Sequence, residues 1–241
     1  MTIETAEARG FKGAPVRSYA NSFDVDEAPL SDGGMWLNGG TDGTDWVDVI
    51  VKDGKAYGGR SRMAVAEQRA EQGNLEGGEA AAPVGDYDDP TAILAGDWGP
   101  DQHGRATVFS RNPTDEYFQE VEIRLRSTMT PKHCRGYEVF WRCLQEEGGY
   151  AEIVRWNGPI GDFTSLKRLA GAEYGVKHGD VIEATAIGNV LTGYVNGVEM
   201  ISVTDDVYGD GAPGIGFNFG VGDTNVDHGL SSFETDTYSS S

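Results

Sequence analysis

The chain has 241 residues, enough for one substantial core, and its 39 Asp and Glu against 19 Lys and Arg give a formal net charge of −20. A surplus of that size repels phosphate backbones and anionic bilayers, which argues against a nucleic-acid partner, and no stretch is apolar enough for long enough to insert in a membrane. With 35 Gly, 9 Pro and two Cys, the composition suits short strands and tight turns better than helices or a disulfide framework.

Residues 1–21 mix Gly, Ala, Lys, Arg and Glu without a clear period and read as an N-terminal arm. The opening Met1-Thr2-Ile3-Glu4 lacks the basic start and apolar centre of a signal peptide, so the chain is expected to be soluble without an export address. Its location stays open between a virion and the extracellular space. Strands are predicted over Ser22–Val25, Gly34–Gly40 and Trp46–Tyr57, the last folded back at the turn dipeptide Asp53-Gly54. From Arg60 to Pro90 the sequence turns to Ala, Glu, Gln and Arg. This predicts an insertion over 61–90 with one short helix near Met63–Gln72, serving as a surface loop, a lid or an oligomer contact.

Further strands are predicted at Thr91–Ala95, Arg105–Ser110 and Gln119–Ser127, where strict alternation turns Val121, Ile123 and Leu125 to the core. Gly136–Leu144 and Tyr150–Asn157 flank the glycine turn Glu147-Gly148-Gly149, and Cys143 shares phase with the apolar Val139 and Trp141. A shorter strand follows at Phe163–Leu169. The stretch Val181–Asp205 then reads as a meander, its strands rich in Val, Ile, Thr and Tyr and its turns marked by Gly188-Asn189 and Asn196-Gly197. Many short strands, polar turns and no strand–helix alternation predict an all-β fold: a two-sheet antiparallel sandwich with one short helical insertion.

The meander ending in Asn196-Gly197, its closing Thr204-Asp205 and the following Gly-x-Pro-Gly-Ile-Gly-Phe over Gly211–Phe217 resemble the concanavalin A-like lectins and glucanases of the laminin G-like kind. The resemblance implies a jelly roll over 22–238 whose opening Phe23-Asp24 strand pairs with Leu230–Tyr238. It also implies a concave sheet face on which sugar is laid, and a structural Ca2+ near the paired terminal strands. Asp24, Asp26 and Asp227 are the carboxylates for that ion, with carbonyls at Gly222-Asp223; no other cofactor is required.

On the side opposite the core, Glu120, Glu122, Arg124 and Arg126 stand on one strand and Glu138, Phe140 and Arg142 on the next, with Glu152 and Trp156 one strand further. Rings that stack on a pyranose and charges that bond its hydroxyls make Glu122, Arg124, Glu138, Phe140, Arg142, Glu152 and Trp156 the ligand-binding candidates. The alternative for the same residues is a set of cross-strand ion pairs on a wet face.

Catalysis demands more. The retaining glucanases of the resembled superfamily carry Glu-x-Asp-x-Glu on one strand, and this chain has Glu-x-Asp only at Glu234-Thr235-Asp236. Arg124 beside Glu120 and Glu122 would hold a carboxylate ionised, against a role as an acid. Lyases on similar folds gather an Arg, a His and a Tyr; Arg124, Arg126, His133 and Tyr137 are near in sequence, but Tyr137 has the phase of the core. No catalytic residue is therefore assigned. The reading is a non-catalytic surface module that binds a glycan or polysaccharide, or protein subunits of an assembly such as a capsid decoration or a viral tail, with homo-oligomers among those assemblies. The alternative is a polysaccharide hydrolase or lyase acting on the concave face.

Overall fold

The computed structural model describes residues 9–59, 89–113, 119–219 and 225–240. The helix predicted near Met63–Gln72, and the insertion up to residue 88, lie outside them. Among the described residues two antiparallel sheets pack face to face, as the alternating pattern predicts. The eight-stranded sheet runs β13 (Val198–Thr204), β12 (Val190–Val195), β11 (Val181–Ile187), β6 (Asp101–Ser110), β15 (His228–Tyr238), β4 (Lys55–Gly58), β3 (Val49–Lys52), with β1 (Arg17–Asn21) also paired to β15. The seven-stranded sheet runs β10 (Phe163–Ala170), β9 (Tyr150–Gly158), β8 (His133–Arg142), β7 (Gln119–Thr130), β14 (Ala212–Phe219), β5 (Thr91–Leu94), β2 (Trp36–Asn38).

The core lies between the sheets and is built from every second residue. Val121, Ile123 and Leu125 of β7 meet Tyr137, Val139 and Trp141 of β8, Phe217 of β14 and Phe233 of β15, all fully buried. Each such side chain contributes about 1.5–3 kcal/mol relative to exposure. Cys143 joins this cluster, as its phase predicts. The turns follow the dipeptides: Asp53 and Gly54 have φ of 53° and 74°, and Asn196 and Gly197 have φ of 51° and 82°. Two successive left-handed residues match the twist of the strands they join.

The first strand departs from expectation. Arg17–Asn21, read as arm, pairs residue for residue with Thr237–Phe233 of β15, so the sheet begins five residues before Ser22. The predicted Ser22–Val25 strand does not form. Asn21 Oδ1 accepts the Phe23 N–H at 2.6 Å, and Phe23 has φ of 57°, a left-handed bend that ends the ladder and drops its ring into the core. Upstream, the segment from Arg9 packs on the side of the eight-stranded sheet turned away from the core. Phe11 stacks on Tyr238 at 4.3 Å, and Arg9 lies over the Tyr194 ring at 3.7 Å with an ion pair to Glu183 at 3.1 Å.

Candidate functional site

Adjacency of β7, β8 and β9 gathers the predicted ligand-binding residues. Glu122 is opposite Phe140, which is opposite Glu152; Arg124 is opposite Glu138. With Arg142 and Trp156 they share the face of the seven-stranded sheet turned away from the inter-sheet core. The face is not wet. All seven residues are at most 8% exposed, and Arg124 is fully buried. The alternation was legible; the covering was not, because a polar face says nothing about what packs over it. Trp46, from the segment before β3, packs edge-on against Trp156 at 4.4 Å and 5.1 Å from the Arg124 guanidinium carbon. The Phe163 ring is tilted against Trp156 at 5.2 Å. Ile93, Met129, Cys134, Phe140, Tyr150, Val154 and Ala212 complete the buried part of this second apolar cluster.

Arg124 is the centre of the face. Its Nη1 donates to Glu138 Oε2 at 2.7 Å and to Thr91 Oγ1 at 3.1 Å, and lies 4.0 Å from Asp89 Oδ1. The Thr91 hydroxyl in turn donates to Asp89 at 3.1 Å, and Trp156 Nε1 donates to Glu138 Oε2 at 2.8 Å. Glu120 accepts from Tyr150 and, at 2.7 Å, from Asn218. Nearer the margin Glu152 accepts from Ser165 and Arg168, both at 2.6 Å, while Arg142 donates to the Gly148 carbonyl at 2.9 Å. Arg126 leaves the group. A bulge between Leu125 and Thr128 gives it φ of 49° and aims its guanidinium at the carbonyls of Pro100 and Tyr208.

Glu122 has a different environment. Its carboxyl shares a hydrogen bond with Glu138, and its buried Oε2 lies where a Cβ on Gly216 of β14 would collide with it. Gly216, opposite Glu122 in the register, is what leaves room for the carboxylate. Burial raises Glu122 well above the ordinary carboxylate range, and the neighbouring charges of Glu138 and Asp89 add to the rise. Asp89 is raised likewise by burial and Glu138, and Glu138 by burial against the pull of Arg124. Glu120 is pushed up to about 7 by burial despite its hydrogen bonds. The expectation that Arg124 keeps its neighbours ionised therefore fails: desolvation outweighs one guanidinium shared among several carboxylates. Sequence reasoning missed Asp89 and Trp46, one assigned to the insertion and the other to a strand.

The other candidates fall away. Tyr137 is buried in the core with its hydroxyl donating to Asp205 at 2.7 Å, and burial with that bond pushes it up to about 12, out of range for a base. The Cys134 thiol is pushed up to about 11 by burial, against a role as nucleophile. Asp24, Asp26 and Asp227 do not converge. Asp24 accepts from Ser22, Asp26 from the Asp53 N–H at 3.0 Å, and Asp227 pairs with Arg111 at 2.5 Å. The expected ion site therefore has no shared centre, and Gly222-Asp223 lie outside the described residues. Among the described residues, the group of three carboxylates whose oxygens lie within 4.8 Å of one another is Asp89, Glu122 and Glu138. Two shallow recesses, of about 300 and 290 Å³, sit elsewhere, one along Ser18–Ala20 and Glu234–Asp236 and one around Phe23 and Leu30.

No protein-family model matches the chain, and no curated protein does. Solved structures do. One is the carbohydrate binding module CBM66 from Bacillus subtilis, with 12% identity over 80% of this chain and 95% of that one and a TM-score of 0.52. Another comes from the endo-acting O-glycanases that prominent members of the human gut microbiota express to initiate mucin breakdown, with 11% identity, 93% and 100% coverage and a TM-score of 0.51. At such identities the likeness is one of fold. Two antiparallel sheets packed face to face, matched over 80% and 93% of this chain by these structures, give it the β-sandwich fold that they share.

Proposed function

We propose that the chain is a non-catalytic β-sandwich module that attaches to a glycan or to another protein's surface. One observation carries the reading: the charged side chains that would handle a substrate are buried and largely committed to one another around Arg124. A fixed ionic centre under Trp46 supports a face; it does not turn over a bound chain. The fold shared with a carbohydrate binding module supports the glycan side of the proposal. Contact then falls at the margin of the face, where Arg168 is exposed over the Tyr150 ring at 3.6 Å and Phe163 is half-buried beside Trp156. The protein is to be screened against a polysaccharide panel for both binding and new chain ends. Binding without turnover, weakened by Arg168→Ala, is the expected result; turnover that is lost in Glu122→Gln or Glu138→Gln overturns it.

The catalytic alternative draws on one feature, the raised carboxyls Glu120 and Glu122 two residues apart on one strand face, since an acid kept protonated near neutrality is what glycoside cleavage uses. The same screen decides it. The narrower setting, a subunit of a capsid decoration or viral tail, is motivated by the docked segment from Arg9 to Val16, which in an assembly can pass to a neighbouring copy. Light scattering after size exclusion tests it; a strict monomer at all concentrations counts against it.

A further inference from the structure

The segment before β1 is held on the eight-stranded sheet at two points. At the first, the Arg9 guanidinium lies 3.7 Å over the Tyr194 ring, pairs with Glu183 at 3.1 Å and donates to the Gly197 carbonyl at 3.3 Å. Glu183 is itself fixed, its other oxygen 3.0 Å from His103 Nε2. At the second, Phe11 stacks on Tyr238 at 4.3 Å, meets the His103 ring edge-on at 6.3 Å and packs against Ile187. The result is a groove with a carboxylate and an aromatic face for a guanidinium, beside an aromatic slot for a ring.

Between these anchors and β1 the chain holds on loosely. Among the described residues, none from Arg9 to Pro15 makes a hydrogen bond from main chain to main chain; the ladder starts at Val16. Lys12 to Val16 are exposed, and Gly13 has φ of 78° with open space where a Cβ would stand. Residues 9–17 carry three cations, Arg9, Lys12 and Arg17, and no carboxylate, in a chain of net charge −20. The groove therefore recognises a charge and a ring, whichever copy of the chain presents them.

We infer that the groove formed by Tyr194, Glu183, His103 and Tyr238 is an exchange site, which takes the Arg9–Phe11 segment of a second copy of this chain while that copy takes this one's. Seven residues from Val16 back to Arg9 reach about 23–25 Å when extended, so one copy's β1 must start within that distance of the other's groove. In a lone chain the short tether gives the segment an effective concentration of mM order, which keeps it in its own groove when the protein is dilute. Two copies held side by side trade equal contacts at little cost. This deepens the assembly setting proposed above and does not rest on glycan attachment.

The test uses two full-length variants, each checked for folding by thermal unfolding. Arg9→Ala with Phe11→Ala keeps the groove and loses the anchors; Glu183→Gln with Ile187→Ser keeps the anchors and weakens both ends of the groove. Light scattering should find each alone as a monomer and their equimolar mixture as a one-to-one complex of doubled mass, dissociated by an excess of synthetic peptide spanning residues 9–16. A mixture that stays monomeric up to about 1 mM, the scale set by the tether, overturns the inference. So does a complex that the peptide leaves intact. Neither result touches the glycan screen, and wild-type self-association through another surface would leave the assembly setting standing. If a variant fails to unfold cooperatively, the wild-type chain decides instead: heavy-isotope and light-isotope copies, with the exposed Lys12 replaced by its diazirine analogue, are mixed at about 1 mM and irradiated. Links from residue 12 of one isotope to β11, β12 or β15 of the other are expected; links confined within single chains overturn the exchange.

Discussion

At the scale of single residues, the buried Arg124 decides how the polar face behaves. It is the cation placed among Asp89, Glu122 and Glu138, and its loss leaves those carboxylates facing one another in a dry site. Arg124→Met is expected to destabilise the fold by about 3–5 kcal/mol in urea unfolding, the cost of breaking a buried pair from one side. Adding Glu138→Gln should recover part of that loss, a coupling that a merely steric defect would not show. A second residue sets a pH dependence. His228 is buried, its Nε2 3.1 Å from the Asn218 carbonyl, and burial lowers it from 6.5 to about 4. Between those values the unfolded chain takes up a proton that the folded chain refuses, so stability contributed by this residue falls as pH drops through the window, by about 3 kcal/mol in all. The raised carboxyls act in the opposite sense, since the folded state holds their protons more tightly. Comparing wild type with His228→Asn at pH 7.5 and 4.5 isolates the histidine: the gap between the two proteins should change by that amount, and an unchanged gap rejects it.

At the scale of elements, what was legible depended on whether period-two alternation had a clear apolar phase. β7, β8, β11 and β12 carried runs of Val, Ile, Leu and Trp whose inward faces were readable from the sequence, although β7 runs on to Thr130 and β8 spans His133–Arg142, beyond and before the predicted ends at Ser127 and Gly136. β1 was not. Its five residues Arg-Ser-Tyr-Ala-Asn offer a single aromatic, and Tyr19 spends its hydroxyl on Asp32 and on the Trp36 indole rather than on burial. Its ladder to β15, more than two hundred residues away, is set by the partner strand and not by local pattern. The same holds for the covering of the candidate site: Glu122, Arg124 and Glu138 could be placed on one face from spacing, but Trp46 and Asp89 reach that face through tertiary packing alone. The docked N-terminal segment offers a prediction of its own. Phe11 is buried against Tyr238, Ile187 and the edge of the His103 ring, so Phe11→Ala should cost about 3 kcal/mol and release residues 9–16 to limited proteolysis while the remaining sheet stays folded. Resistance equal to the wild type would show that the segment is held elsewhere.

At the scale of the whole molecule, the sheets join strands far apart in sequence: β1 and β4 with β15, β2 with β5 and β14 with β7. Such pairings close long loops before they yield contacts, which makes jelly rolls slow to fold compared with helical bundles of equal size. They also determine where the chain's extremities emerge. The Val16 N–H donates to the Thr237 carbonyl at 2.7 Å, so the first strand enters beside the point where the last strand leaves the eight-stranded sheet. Splicing residue 16 to residue 238 through a short linker and opening the chain at Asn196-Gly197 would give a circular permutant with every ladder intact. Conversely, cargo joined directly at residue 16 or residue 238 would leave from that same end of the paired strands β1 and β15.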